Sequence, residues 1–185
     1  MYDLVDFEIR ECIEKNIIKV DPYDPKLINP NSLDVRLGYD FFVCEKCEHV
    51  YNIKTDIQNG SRITLDTPDD YIIIKQGDFI LGTTLETITL SSCIHAQLEG
   101  KSSIARWGIE THQTGGYIDS GFSGEITLEL TSVYPDPIKL FPEMPIGQLI
   151  FTMNNPCKIP YNEKTSSKYN NQSGATLSKY YENFV

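Results

Sequence analysis

The chain has 185 residues, 40% hydrophobic and 23% charged, which is typical of one soluble globular domain with a substantial core. Sixteen basic and 26 acidic residues give a net charge of −10, which repels nucleic acid and argues against a nucleic-acid-binding protein. An acidic N-terminal segment and short apolar runs predict neither a secretion signal nor a membrane partner, and five scattered cysteines favour the cytoplasm.

The predicted elements are one short helix followed almost entirely by strands. Apolar residues at three-to-four spacing between Leu4 and Ile13 predict a helix that ends near Asn16. Short extended runs between turn residues predict strands at 32–37, 41–43, 62–65, 71–74, 79–88, 93–98, 126–131, 138–141 and 148–153. This pattern is typical of an antiparallel β-barrel or jelly roll, here in one domain that spans residues 1–185.

Two cysteines beside an early strand, Cys44 and Cys47, have the spacing of half a zinc site. A structural zinc site needs a second pair of ligands at comparable spacing, and only His49 lies nearby. The zinc-dependent base deaminases need a His-x-Glu and a Pro-Cys-x-x-Cys motif, and neither is present. We therefore expect no zinc and no metal held by the protein alone.

The motif GKSS at 100–103 is like the end of a phosphate-binding loop, but His95 stands where a Walker loop requires glycine. Lys101 and Arg106 flank a segment that can begin a helical turn, and free backbone N–H groups at such a turn can bind phosphate oxygens. The turn consists of Ser102, Ser103, Ile104 and Ala105. A capped surface turn with two solvated cations explains the same spacing.

Four glycines then occur within ten residues: Gly115, Gly116, Gly121 and Gly124. A simple hairpin does not need so many, so we expect the backbone to approach a ligand closely here. Asp119, in the middle of this segment, is either a turn residue or a ligand for a hydroxyl group or a water molecule.

The next predicted strand alternates apolar and polar residues from Ile126 to Thr131. Alternation directs Glu129 and Thr127 away from the face that Leu128 builds. A carboxylate in an enclosed pocket can act as a general acid and base, whereas one that faces solvent is an ordinary surface residue. The polar segment 164–179 that ends the chain is open to two interpretations, a mobile lid or a frayed end.

These motifs together resemble the dCTP deaminase branch of the dUTPase superfamily. The resemblance rests on GKSSIARWG at 100–108 and THQTGGYIDSGFSGEITLEL at 111–130, and it extends to NSLDVRLG at 31–38, PIGQLIF at 145–151, PYN at 160–162 and SKYNNQSGATLSKYYENF at 167–184. It implies a dUTPase-like distorted β-barrel or jelly roll, a homotrimer with nucleotide sites between subunits, and a mobile C-terminal lid at 164–185.

The resemblance also implies roles for individual residues. Glu129 matches the catalytic glutamate, and Arg106 and Ser102 match residues beside the reacting base and water. Asp119 matches the residue that holds the deoxyribose 3′-hydroxyl. Lys101 stands where the family contacts the triphosphate with arginine or lysine. The further substrate-binding positions are Ser103, Ile104 and Ala105 of the turn, Thr127 beside the base, Gln148, and Tyr161, Lys168 and Gln172 near the tail.

The implied reaction is deamination of dCTP at cytosine C4, with Mg²⁺ bound alongside the triphosphate. Gly116 and Gln148 resemble the bifunctional branch, which also cleaves the α–β phosphate bond with help from Asp119 and supplies dUMP. A monofunctional deaminase that releases dUTP and a non-catalytic dCTP or dTTP sensor are the alternatives. Gly115 replaces a common alanine and Ser120 a frequent proline, which loosens the loop through which dTTP would inhibit the enzyme.

Overall fold

Short strands dominate residues 1–184, which a computed structural model of the chain describes. Helix α1 covers Asp6–Glu14, helix α2 covers Ser102–Ala105, and 3-10 turns cover Pro25–Leu27 and Tyr180–Phe184. The strands are β1 (Tyr2–Asp3), β2 (Ile18–Asp21), β3 (Ile28–Asn29), β4 (Ser32–Arg36), β5 (Asp40–Cys44), β6 (Gly60–Thr64), β7 (Ile72–Ile74), β8 (Phe79–Leu90), β9 (Ile94–Gly100), β10 (Ile109–Glu110), β11 (Tyr117–Ile118), β12 (Ser123–Ser132), β13 (Ile138–Leu140) and β14 (Pro145–Met153). Val185, the last residue of the predicted lid, lies outside the described residues.

The strands form two six-stranded antiparallel sheets and a separate pair. One sheet has the order β11-β9-β14-β4-β3, with β1 also paired to β14, and the other has the order β10-β12-β8-β5-β6, with β2 also paired to β8. Strands β7 and β13 make the pair. Buried side chains of both sheets, such as Phe151 of β14 and Leu128 of β12, belong to one hydrophobic cluster. The predicted mainly β, antiparallel fold with a short N-terminal helix is confirmed.

Helix α1 follows the predicted periodicity and buries Ile9 and Cys12 against the core. Its first turn is closed by Glu8, whose carboxylate accepts a hydrogen bond from the Val5 backbone N–H at 3.0 Å. Asn16 adopts a left-handed conformation with φ of 57°, which ends the helix where the sequence predicts. Among the described residues no helix has the length and apolar character needed to cross a membrane.

All nine predicted strands are present, but β1, β2, β3, β10 and β11 were not predicted. Four of these five contain only two residues, which is too short for alternation to be visible in a sequence. The missed strand β2 alternates buried and exposed side chains over four residues and pairs with β8. Long-range pairing, rather than local preference, decides these short elements.

The two longest strands, β8 and β12, are paired with an irregularity in the middle. Glu125 lies opposite Thr87 and Thr127 opposite Thr83, so β12 advances by two residues where β8 advances by four. Ile126 of β12 therefore faces a bulge in β8 that contains Thr84 and Glu86.

Candidate active site

A cavity of about 390 Å³ lies against the polar face of β12. Its volume is within the range of small-molecule sites in proteins. Strand β12, the glycine-rich segment and the C-terminal tail all contribute to its wall. The lining includes Ile126, Thr127 and Glu129 from β12, Gly115 and Asp119 from the glycine-rich segment, and Tyr161, Tyr169 and Gln172 from the tail side.

Glu129 reaches the cavity because β12 alternates as the sequence predicts. Leu128 and Leu130 are fully buried, whereas Glu129 is half-buried on the opposite face. One carboxylate oxygen, Oε2, accepts a hydrogen bond from the Gln113 backbone N–H at 2.8 Å. The Glu129 backbone N–H in turn donates to the Thr111 carbonyl oxygen at 3.1 Å. The carboxylate is thus held in a fixed direction at the wall of the cavity.

The glycine-rich segment packs closely against Glu129 and against the residues that lead into the tail. A β-carbon at Gly115 would lie 3.0 Å from Glu129 Oε1. Gly121 has φ of +87°, and a β-carbon there would lie 2.6 Å from Pro160. Gly124 has φ of +144°, and a β-carbon there would lie 2.9 Å from the Gln172 backbone. These glycines permit close packing around Glu129 and under the tail.

Asp119 stands between two cavities. It lines the 390 Å³ cavity and a neighbouring one of about 360 Å³, and Tyr117 and Tyr161 also line both. The Tyr161 backbone N–H donates to the Ser120 carbonyl oxygen at 2.8 Å, and its hydroxyl oxygen accepts from the Tyr169 N–H at 3.1 Å. Asp119 itself is exposed, so its carboxylate is accessible to a ligand.

The tail is docked onto β12 through Glu125. The Gln172 carbonyl oxygen accepts from the Glu125 N–H at 3.0 Å, and Gln172 Nε2 donates to the Glu125 carbonyl oxygen at 2.7 Å. The Glu125 carboxylate accepts from Ser173 Oγ at 3.1 Å and from the Gly174 N–H at 2.7 Å. Gln172 Oε1 is buried without a hydrogen-bond partner in the described part of the chain.

The β5–β6 loop, residues 45–59, contacts the tail from the other side. Gln58 Oε1 accepts from the Ser178 backbone N–H at 2.9 Å, and both residues line the cavity. Arg62 of β6 donates to the Ala175 carbonyl oxygen at 3.0 Å. Lys168 is directed elsewhere, since its ammonium group bonds to Asn183 and it does not line the cavity.

The second group of predicted site residues does not line this cavity. The Lys101 ammonium bonds to Asp34 of β4, and Gln148 bonds to Ser32 at 2.8 Å and to the Gly100 carbonyl oxygen at 3.1 Å. The remaining members are Ser102, Ser103, Ile104, Ala105 and Arg106, and all but the half-buried Ile104 are exposed. The Arg106 side chain makes no hydrogen bond to any of residues 1–184.

Apart from Lys168, which bonds to Asn183, the predicted residues fall into two groups. Glu129, Asp119, Thr127, Tyr161 and Gln172 meet at one cavity, whereas Gln148 and the segment 101–106 lie together elsewhere. Sequence reasoning missed several lining residues: Gln58, Phe79, Leu81, Tyr169, Thr176, Leu177 and Ser178. Phe79 and Leu81 pair with Thr131 and Glu129 across the strands, but β8 begins with three consecutive apolar residues at 79–81, so no alternation there identifies the side that lines the cavity.

No three His, Cys, Asp or Glu side chains within residues 1–184 form a group that could hold a metal ion. In the 45–59 loop, His49 bonds to Asp56 at 2.9 Å, and Cys47 Sγ lies 3.2 Å from the Tyr51 hydroxyl. The hydrogen bonds from His49, Asn52 and Thr55 lower the pKa of Asp56 to about 2. This loop is thus ordered by hydrogen bonds among its own residues.

Comparison with known proteins gives concordant results. The family model described as dCTP deaminase-like matches residues 4–154. A relative from Methanospirillum hungatei, named dUMP-forming dCTP deaminase, is 46% identical over 182 residues, which cover 97% of each chain. A relative of the same name from Thermobifida fusca is 44% identical and covers 98% of this chain and 94% of its own.

The crystal structure of 2′-deoxycytidine 5′-triphosphate deaminase from Agrobacterium tumefaciens has a TM-score of 0.63 and 20% sequence identity to this chain. The match covers 82% of this chain and 48% of the other, so the chain spans about half the length of that solved structure. At this identity the likeness concerns the fold.

Proposed function

The chain belongs to the dCTP deaminase-like family, and from this premise we propose that it hydrolyses dCTP to dUMP, ammonia and pyrophosphate. Deamination at cytosine C4 comes first, and cleavage of the α–β phosphate bond follows in the same site. The observation that carries the proposal is the Glu129 carboxylate, which is fixed at the wall of the cavity of about 390 Å³.

The proposed role of Glu129 is general acid and base catalysis. Water adds to C4 of the cytosine ring, and Glu129 takes a proton from this water and passes it to N3. Glu129 then transfers the proton of the new C4 hydroxyl group to the amino group, and ammonia leaves as the C4–N bond breaks and the C4 carbonyl forms. The bond from Gln113 N–H to Oε2 supports this role because it fixes the carboxylate, while Oε1 faces Gly115 with no side chain between them. One carboxylate is sufficient for both proton transfers.

Arg106 and Ser102 are proposed to act on the same base from a second copy of the chain. They lie on an exposed segment that does not line the Glu129 cavity, so one chain alone supplies an incomplete site. Trp107, beside Arg106, is 55% exposed, and Val133 is 66% exposed, which supports burial of this region against a partner subunit. We propose the homotrimer that the family resemblance implies.

The triphosphate is proposed to lie between the second group and the tail. Lys101, the turn of Ser103, Ile104 and Ala105, and Gln148 would bind it from one subunit, and Tyr161, Lys168 and Gln172 from the other. For this, Lys101 must exchange its contact with Asp34, and Lys168 its contact with Asn183, for phosphate oxygens. The backbone N–H groups of Ile104 and Ala105 are not free as the sequence predicts, because they donate to the Lys101 carbonyl oxygen at 2.9 and 2.8 Å.

The dUMP-forming step is proposed to use Asp119. Its exposed carboxylate adjoins both cavities, which supports a role in holding the 3′-hydroxyl and the water that attacks the α-phosphorus. The names of the relatives support this second step. In the same proposal the chain is a single domain, Thr127 presents its backbone to the base, and the tail at 164–185 is a lid that closes over the nucleotide.

Mg²⁺ is the proposed cofactor. No group of three possible metal ligands occurs within the described residues. We therefore propose that the ion is bound mainly through phosphate oxygens and water. When bound, Mg²⁺ reduces the charge of the triphosphate, and Lys101 and Lys168 would supply the protein's positive charge. We propose dTTP as an inhibitor of the same site. The five cysteines are free thiols, which supports the cytoplasm as the compartment.

One assay tests the proposed function. The full chain with dCTP and Mg²⁺ should release ammonia, dUMP and pyrophosphate in equal amounts. Glu129→Gln should lower kcat for ammonia release by at least about 100-fold while dCTP still binds, and Glu11→Gln on the surface of α1 is the matched control. Accumulation of dUTP without pyrophosphate would show that the chain is a monofunctional dCTP deaminase and would exclude the dUMP-forming step. Binding of dCTP without release of ammonia would identify a sensor and refute catalysis.

A further inference from the structure

A buried hydroxyl at the bulge between β8 and β12 has no role in the proposed chemistry. Thr84 is 1% exposed, and its Oγ1 accepts a hydrogen bond from the Ile126 backbone N–H at 2.9 Å. The same hydroxyl donates to the Glu86 carbonyl oxygen at 2.7 Å. Ile126 has no partner residue in the β8–β12 ladder. The Thr84 hydroxyl therefore replaces the backbone carbonyl that would otherwise accept the hydrogen bond from the Ile126 N–H.

Ile126 lies between two residues of β12 that bond to the C-terminal tail. Glu125 docks the tail through Gln172 and Gly174. Thr127 lines the cavity, and its Oγ1 accepts from the Thr176 N–H of the tail at 3.4 Å. The position of the Ile126 amide therefore determines how β12 presents both neighbours.

Glu129 is held independently of this hydroxyl. It pairs with Leu81 across the strands, its N–H bonds to Thr111, and its carboxylate bonds to the Gln113 backbone. A displacement at Ile126 would therefore disturb the tail and the wall of the cavity more than the group proposed to transfer protons.

We propose that Thr84 is a positioning residue for nucleotide binding, an inference that rests on the proposed function. Its hydroxyl fixes the Ile126 amide, so that Glu125 and Thr127 are preorganised for the closed tail and the nucleotide. Without the hydroxyl, a buried N–H loses its acceptor, and β12 shifts or admits water to satisfy it. Gly124, with φ of +144°, gives the strand little resistance to such a shift.

Thr84→Val tests this inference because it removes the hydroxyl and keeps the branched shape. We expect KM for dCTP to rise about tenfold while kcat stays within about threefold of the wild type. Thr84→Ser retains the hydroxyl and should return KM to within about threefold. Hydrogen exchange of the Ile126 amide should be faster in Thr84→Val than in the wild type and in Thr84→Ser.

Thr89→Val is the matched control. Thr89 lies on β8, and its hydroxyl bonds to Ser123 Oγ of β12 at 2.8 Å, at a regular pair of the ladder. We expect wild-type KM for this variant. The inference would be overturned if KM for dCTP were unchanged in Thr84→Val. It would also be overturned if KM rose as much in Thr84→Ser or in Thr89→Val as in Thr84→Val.

Should Thr84→Val not fold, Thr84→Cys replaces it, since a thiol keeps the volume but is a poor acceptor. A raised KM and faster Ile126 exchange would support the inference, and wild-type values of both would overturn it. If the wild type itself releases no ammonia from dCTP, the proposed function fails. In that case the hydrogen-exchange rate of the Ile126 amide still tests the role of Thr84. Equal rates in the wild type and all Thr84 variants would overturn the positioning role.

Discussion

Two glutamates on the paired strands β8 and β12 have different surroundings. Glu129 is half-buried at a cavity. Glu86 is fully buried, and its carboxylate bonds to Arg36 Nε at 2.7 Å and to the Arg36 backbone N–H at 2.9 Å. Burial raises the pKa of Glu86, and the bonds from Arg36 partly oppose this rise. The ion pair between Glu86 and Arg36 joins the two sheets. Of the two glutamates, Glu129 is the one that a substrate can reach.

Asp56 provides a test by pH at the level of one residue. Its pKa is lowered from 3.8 to about 2, first by the bond from His49 and then by those from Asn52 and Thr55. A carboxyl group with a lowered pKa stabilises the folded loop above its unfolded pKa, and this contribution is lost as the pH falls from 3.8 through about 2.

The Asn52 amide resonance should report this titration, because its N–H donates to Asp56 Oδ2. We expect an NMR midpoint near pH 2, and Asp56→Asn should abolish the transition. A midpoint near 3.8 would show that the loop hydrogen bonds do not perturb Asp56.

At the scale of elements, the 45–59 loop and the tail support each other. Gln58→Ala removes the side-chain bond to the Ser178 N–H, so we expect KM for dCTP to rise about three- to tenfold with little change in kcat. Steady-state ammonia release and the rate of limited proteolysis within the tail measure the effect.

Gln76→Ala is the control for this prediction, since Gln76 bonds to the Val133 carbonyl oxygen and does not line the cavity. Equal KM and equal proteolysis in Gln58→Ala and the wild type would mean that the loop does not hold the tail.

The same elements explain how far the sequence predicts the fold and the site. Alternation within β12 is a local pattern, and it predicted correctly that Leu128 is buried and that Glu129 lies on the opposite face, but it left open whether that face lines a cavity or meets solvent. Gln58 could not be found in this way, because its partner Ser178 is 120 positions away and neither residue lies in a periodic segment. The position of Thr84 opposite Ile126 depends on a shift in pairing that no local pattern encodes.

At the scale of the whole molecule, the separation of Arg106 from the Glu129 cavity gives a test by complementation. If each site takes Glu129 from one chain and Arg106 from its neighbour, Glu129→Gln and Arg106→Ala chains should each be inactive alone. Co-expressed chains with different tags, purified through both tags, should regain about one third of wild-type activity, because in a mixed trimer one of the three neighbour pairs joins two intact residues.

Ammonia release from the purified mixed oligomer measures this recovery. Each variant co-expressed with itself is the control. A mixed oligomer no more active than its two parents would mean that both residues act within one chain.

The docked tail has a consequence for colloidal behaviour. Asn171 and Gln172 bond to Ser123 and Glu125 along the edge of β12 opposite to β8. The tail therefore covers backbone groups that could otherwise pair with another molecule. Bare strand margins are templates for aggregation. The segment that we propose closes over the nucleotide would thereby also keep this sheet from growing by addition of foreign strands.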